Sequence, residues 1–270
     1  MLSKEEILRV ENLTKYYTLG YIFTKKVIGA ENVTFDLKRG EILSIVGESG
    51  SGKSTVANMI LGLIKPTSGK ILLDGKDLLM FNKKDYWKSV QGVFQDPYST
   101  FNPFYTVDKP LIDTFYLLES TSENRKFSKN EREKIIRESL KTVGIIPDEI
   151  LGRYPHQLSG GQLQRLLIAR SLIICPEVLL ADEPTSMIDA STRLAILNEL
   201  LELKEARGLS MLFITHDVGQ AYYLSDRTIV MEKGKIVEIG PAEEVFFQPK
   251  CEYTKRLVAS VPKLHEVWNI

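Results

Sequence analysis

Nine consecutive residues, Gly47-Glu48-Ser49-Gly50-Ser51-Gly52-Lys53-Ser54-Thr55, have the types and spacing of a loop that wraps phosphate. They fit G-x-x-x-x-G-K-[ST], in which backbone N–H groups surround phosphate oxygens and the following helix adds its positive end. Glycines let such a loop turn with positive φ and approach the oxygens closely. In this pattern Lys53 reaches the β- and γ-phosphates, and the Ser54 hydroxyl takes a place on Mg²⁺. A second group is Val178-Leu179-Leu180-Ala181-Asp182-Glu183, an apolar strand ending in two carboxylates. Asp182 is placed to hold Mg²⁺ through water, and Glu183 to polarise or deprotonate a water attacking the γ-phosphate. A third is Leu158-Ser159-Gly160-Gly161-Gln162, where a serine and two glycines open a helix and make a separate anion site. Simple helix capping would explain Ser159, but not two adjacent glycines that weaken a helix.

These groups need a scaffold that brings strand ends together. Ile42-Leu43-Ser44-Ile45-Val46 reads as a buried strand running into the loop, and Val56, Met59, Ile60 and Leu63 then form the stripe of a helix. The early residues read as strands at 7–10, 27–37 and 41–46, with another from Gly69 to Gly75. That implies a small antiparallel sheet packed on an α/β core. From Pro103 to Gln157 the character becomes helical, with aromatics and apolars from Phe104 to Leu118 and a stripe at Ile136, Leu140 and Val143. The charged run from Glu119 to Glu133 reads as a solvated loop and helix face. Alternation then returns: helix Gln162–Leu172, strand Val178–Ala181 with its end beside the phosphate loop, helix Ala190–Arg207 striped by Leu194, Leu197 and Leu201 and stopped at Gly208, and strand Met211–Thr215. A hairpin turns at Lys233-Gly234, and two short helices follow Pro241.

The chain has 270 residues, 43% hydrophobic and 26% charged, enough for one large domain with a sizeable core. Its 35 basic and 35 acidic residues cancel, which argues against a nucleic-acid partner. Cys175 and Cys251 lie far apart without C-x-x-C spacing, so neither a disulfide framework nor a cysteine metal site is expected. The first residues lack the pattern of a signal peptide, and the longest apolar run, 166–181, is broken by Arg170, Pro176 and Glu177. The expectation is a cytosolic protein that reaches any membrane through a partner.

On the pentapeptide Leu158–Gln162, together with the phosphate loop and the Asp182-Glu183 strand end, the chain resembles the ATP-binding subunit of an ABC transporter. The resemblance spans essentially the whole chain, with motifs in the family's order and spacing. It implies an α/β fold with a P-loop NTPase (RecA-like) core, an N-terminal antiparallel β-subdomain and an inserted α-helical signature subdomain. All form one ATPase domain over 1–270, with the core at 1–94 and 165–240, the helical subdomain at 95–164 and a tail at 241–270. It also implies ATP and Mg²⁺ as ligands. By the same resemblance Gln95, in Val93-Phe94-Gln95-Asp96-Pro97, is a Mg²⁺ ligand that senses the membrane partner, and His216 contacts the γ-phosphate. Ser186-Met187-Ile188-Asp189 resembles the D-loop, with Met-Ile in place of the usual Ala-Leu. Tyr17 resembles the aromatic that stacks on adenine, with Tyr16 as the alternative; stacking reads shape, so ATP and GTP would be separated only modestly.

The segments Phe94–Pro103 and Phe246–Pro262 are similar to the oligopeptide/dipeptide importer branch, although the usual His-Pro-Tyr-Thr is Cys251-Glu252-Tyr253-Thr254 here. That branch implies a head-to-tail dimer with ATP between Lys53 of one subunit and Ser159 of the other, the second subunit being the same chain or a paralogue. It implies transmembrane permease subunits, an extracytoplasmic solute-binding protein acting indirectly, and a place on the cytoplasmic face of the membrane. Oligosaccharides are an alternative cargo. A soluble ABC ATPase of DNA repair or translation would carry a long coiled coil, zinc cysteines or two cassettes, and none is present. Asn82-Lys83-Lys84-Asp85 spells the guanine-reading N-K-x-D, but it comes too soon after the loop without a D-x-x-G and reads as a polar helix start. A nucleotide-gated regulatory module would not need Lys53, Asp182, Glu183 and His216 together.

Overall fold

Mostly apolar strands, two of them buried at every position, form the centre of the molecule, because such strands must be covered on both faces. The computed structural model describes residues 5–19, 25–120, 125–186 and 188–260. In chain order, β1 (Glu6–Leu19) and β2 (Lys25–Lys38) form a long ribbon, and β3 (Ile42–Val46) leads through the phosphate loop to α1 (Lys53–Ile60). Next come β4 (Ser68–Leu73), β5 (Lys76–Asp77), α2 (Lys83–Ser89) and β6 (Val90–Val93). Helices α3 (Pro97–Thr100), α4 (Asp108–Glu119), α5 (Lys129–Thr142), α6 (Pro147–Ile150) and α7 (Gly160–Ile173) precede β7 (Val178–Asp182). The chain continues through α8 (Ala190–Arg207), β8 (Ser210–Thr215), α9 (Val218–Leu224), β9 (Arg227–Glu232), β10 (Lys235–Pro241), α10 (Ala242–Phe247) and α11 (Glu252–Ala259).

Two sheets result. One is antiparallel in the order β2-β1-β4-β5; the other has the order β10-β9-β3-β8-β7-β6, parallel apart from its β10 edge. The side-chain period of two sorts each central strand between two cores. Leu43, Ile45, Val178, Leu180, Leu212 and Ile214 pack toward the antiparallel sheet and α1. Ile42, Leu179, Ala181, Met211 and Phe213 pack toward α4, α5, α7 and α8. A third cluster lies under α9, α10 and α11. No described helix is long and apolar enough to cross a membrane.

In the parallel sheet β8 lies between β3 and the strand ending in Asp182. Several expectations change. Leu63 is no part of the α1 stripe and is 53% exposed: Gly62, with φ +68, ends the helix before the last turn is completed. The buried face of α8 is Ile196, Leu197, Leu200 and Leu203, while Leu194 points outward; leucines stand on two faces of this helix, and packing against the core selects one. The signature helix starts two residues early, so Gly160 and Gly161 form its first turn. The charged run is not wholly solvated either, since Glu119 and Arg132 are partly buried and paired at 2.6 Å.

Candidate nucleotide site

The C-terminal ends of the parallel strands carry the chemistry, as expected for α/β sheets. β3 delivers the phosphate loop, β7 delivers Asp182 and Glu183, β8 delivers His216, and β6 leads to Gln95. Gly47, Glu48, Ser49, Gly50, Gly52, Lys53, Ser54, Thr55, Gln95, Glu183 and His216 line one cleft of about 790 Å³. Tyr17 reaches its rim from β1, whereas Tyr16 turns its hydroxyl to Glu31 at 2.9 Å. Val27, Ile28 and Gly29 of β2 complete that wall.

The loop has no slack. Gly52 adopts φ +103, and a Cβ there would stand 2.3 Å from the Gly29 carbonyl, so only glycine fits. The same Gly52 caps α1 without a side chain, and no acidic residue occupies the first turn. The first amides of α1 are therefore offered to an anion rather than to the protein itself. Ser51, buried beneath the loop, accepts at its carbonyl from Gly234 N–H at 2.8 Å. Lys53 is also buried, and its ammonium donates to the carbonyls of Gly47 and Glu48 at 2.7 and 2.9 Å. Burial pulls the Lys53 ammonium below its ordinary pKa, while Glu183 and Asp182 push it back up. A cation held inside a loop of phosphate-facing amides complements a polyphosphate.

Asp182 accepts a hydrogen bond from the Ser54 hydroxyl, so the two are neighbours even though β8 separates their strands. Burial raises the Asp182 carboxyl above its ordinary value; the Ser54 bond and Lys53 work against that rise. Ser54, Asp182 and Gln95 offer only oxygen donors, which suits Mg²⁺, a hard cation that keeps several waters and few protein ligands. Glu183 adopts φ +48, a left-handed conformation costing a non-glycine residue about 1–3 kcal/mol. Its amide is tied to the Ile214 carbonyl at 2.8 Å, and its carboxylate meets His216 Nδ1 at 3.0 Å. The strain turns the carboxylate away from the sheet and toward the cleft.

The family description that reads "ABC transporter" matches residues 30–186. The chain belongs to the ABC transporter family. A probable peptide ABC transporter ATP-binding protein of Sinorhizobium fredii, y4tS, is 38% identical over 96% of this chain and 73% of its own length. The oligopeptide transport ATP-binding protein AppF of Bacillus subtilis is 38% identical over 96% of this chain and 79% of its own. Among solved structures, the dimeric post-hydrolysis state of the ATP-binding cassette MJ0796, bound to ADP and Pi, superposes with a TM-score of 0.76 at 31% identity, covering 87% of this chain and 99% of that one. As an ABC protein the chain is an ATPase, using ATP with Mg²⁺.

Not every predicted residue enters the cleft. Ser159, Gly160, Gly161 and Gln162 are absent from its lining, as is Asp189. Ser159 caps α7: its Oγ accepts from Gln162 N–H at 3.2 Å, and the Gln162 side chain accepts from Ser159 N–H at 2.9 Å. Gly161 has a packing reason, since a Cβ there would meet Thr192 Cγ2 of α8 at 2.7 Å. Asp189 caps α8 by accepting from Thr192 N–H at 2.9 Å. Met187 lies outside the described residues, as do Val261 and Pro262 of the tail. Sequence reading missed Gly29, although a glycine inside a strand signals a close approach: a Cβ there would stand 2.5 Å from the Tyr17 ring. It also missed Gln164, which is fully buried on α7 and donates to the Phe94 carbonyl at 3.4 Å, next to Gln95.

Proposed function

We propose that this chain is the ATP-hydrolysing subunit of an importer that takes up oligopeptides, dipeptides or similar small solutes through membrane subunits. The observation carrying this reading is the convergence of the phosphate loop, Gln95, Glu183 and His216 on one cleft, with Asp182 joined to Ser54. The names of y4tS and AppF support a peptide cargo.

In the proposed reaction, α1 amides and Lys53 hold the β- and γ-phosphates, and Tyr17 covers the adenine. Ser54, Asp182 and Gln95 would hold Mg²⁺, which would supply charge neutralisation at the phosphates. Glu183 accepts the proton of the attacking water, and His216, hydrogen-bonded to it, orients that carboxylate and faces the γ-phosphate. Ser159 and the α7 amides complete the site of a second ATP-binding subunit, so each nucleotide lies between two chains. Closure then follows ATP binding and opening follows hydrolysis. Residues 95–164 act as the arm that meets the permease on the cytoplasmic face of the membrane, with Gln95 at its root.

The solution mass of Glu183→Gln, measured with and without ATP and Mg²⁺, tests this. A nucleotide-dependent dimer is expected. A chain that binds ATP yet stays monomeric would rule out self-pairing and require a paralogous subunit.

A further inference from the structure

The phosphate loop is held from the far end of the chain. The Tyr253 hydroxyl on α11 accepts a hydrogen bond from the Glu48 N–H at 3.1 Å, across 205 positions of sequence. Its ring is 6% exposed and packs in an apolar cluster with Val46, Val230, Phe246 and Leu257. Val46 and Glu48 flank Gly47, so the first glycine of the loop stands between a residue of the apolar cluster that holds Tyr253 and the amide bonded to its hydroxyl. Gly47 itself adopts φ +154, and a Cβ there would stand 2.3 Å from the Met231 carbonyl. The start of the loop is thus pressed against β9 on one side and tied to α11 on the other.

The rest of α11 is placed to match. Tyr253, Leu257 and Ser260 follow at i, i+4 and i+7, one face of a helix, and Leu257 and Ser260 line the nucleotide cleft. The helix is anchored at its start by Glu238 of β10, whose carboxylate accepts from the amides of Lys250 and Cys251 at 2.8 and 3.1 Å. Burial holds the Tyr253 phenol above its ordinary pKa, so the hydroxyl stays neutral. Phenylalanine would serve the apolar cluster equally well. What the hydroxyl adds is an acceptor for the Glu48 amide, in a loop that satisfies its Ser51 amide internally on the Glu48 carbonyl at 3.2 Å.

We propose that Tyr253 is a positioning residue for nucleotide binding: its hydroxyl fixes the Glu48 amide, and with it the shape of the phosphate loop, making α11 a wall of the nucleotide cleft. This rests on the reading of the cleft as the ATP site.

The test titrates the full chain and Tyr253→Phe with MgADP and MgATP by calorimetry, alongside thermal melting without nucleotide. Tyr253→Phe keeps the ring and removes only the acceptor, so both Kd values should rise about 3- to 10-fold, the effect of one lost hydrogen bond to a backbone amide. The unliganded Tm should stay within about 2 °C, since packing is retained. Tyr253→Ala empties the cluster as well, and should lower both affinity and Tm, separating the two roles of the side chain. Wild-type affinity in Tyr253→Phe would overturn the proposal. So would a loss of affinity accompanied by a matching fall in its unliganded Tm, which would make the hydroxyl merely structural. If the wild-type chain bound neither nucleotide, the ATP reading of the cleft would fail first, a result distinct from either of these.

Discussion

Two glycine-rich turns open helices in this molecule, and they are finished differently. At α1 the capping residue is Gly52, no side chain closes the first turn, and a buried lysine sits inside the loop. At α7 the cap is Ser159, and a reciprocal pair of hydrogen bonds with Gln162 closes the turn. The first turn is left open for a ligand held by this chain. The second is self-sufficient as a helix start and keeps one group in reserve: Ser159 caps through a lone pair, so its hydroxyl hydrogen remains to donate outward. On the two-subunit arrangement proposed above, a site built within one chain and half of a site completed by another differ in what satisfies the helix start before any ligand arrives.

That contrast predicts separable damage. Glu183→Gln, on the phosphate-loop side, should reduce ATP turnover by about 10²- to 10⁴-fold, the scale of a general base, with ATP affinity close to wild type by calorimetry. Near-normal turnover would remove Glu183 from its assigned role. On the signature side, Ser159→Arg should abolish ATP-dependent dimer mass in a Glu183→Gln background while single-chain ATP affinity stays unchanged, and loss of the cap should cost about 1 kcal/mol. A dimer that survives this change would mean the turn is no part of the shared site. Gly161→Ala pushes a methyl into Thr192, and overpacking of this kind costs about 1–3 kcal/mol; denaturant midpoints should register it, with nucleotide affinity untouched.

A further effect concerns pH. Burial lifts the Glu199 carboxyl on α8 to about 7, against the pull of Arg165 on α7 at 3.1 Å and with a push from Glu202. Its folded value lies above the ordinary 4.5, so between those limits the folded chain holds a proton that the unfolded chain has lost. Stability should therefore fall as pH rises through that window and level off above it. Glu199→Gln should flatten the slope in urea midpoints without altering ATP affinity; an unchanged slope would point to another group.

Legibility followed distance along the chain. The phosphate loop, the Asp182-Glu183 strand end and the helix start at Ser159 are contiguous, so each could be recognised where it stands. Their companions could not. Tyr253 lies on a short helix with no local sign that its hydroxyl would meet Glu48. Gly29 gave a signal, a glycine within a strand, but nothing named Tyr17 as the ring that requires it. Helix periodicity marked Leu63 and Leu194 because it counts spacing alone, whereas Gly62 ends one helix and core packing turns the other. The interposition of β8 between β3 and β7 has no local sequence signature at all; it is decided by pairing among segments far apart.

The order of the parallel sheet has a consequence for synthesis. Both neighbours of β3, which carries the phosphate loop, come late: β8 ends at Thr215 and β9 at Glu232. A chain emerging from the ribosome holds this apolar strand with two open edges until most of the protein has been made. Such edges are templates for wrong pairing, and long-range parallel pairing forms slowly. The segment most specialised for nucleotide is thus the one that waits longest for its partners, so the nascent chain is most vulnerable to misassembly over the interval between residues 46 and 232.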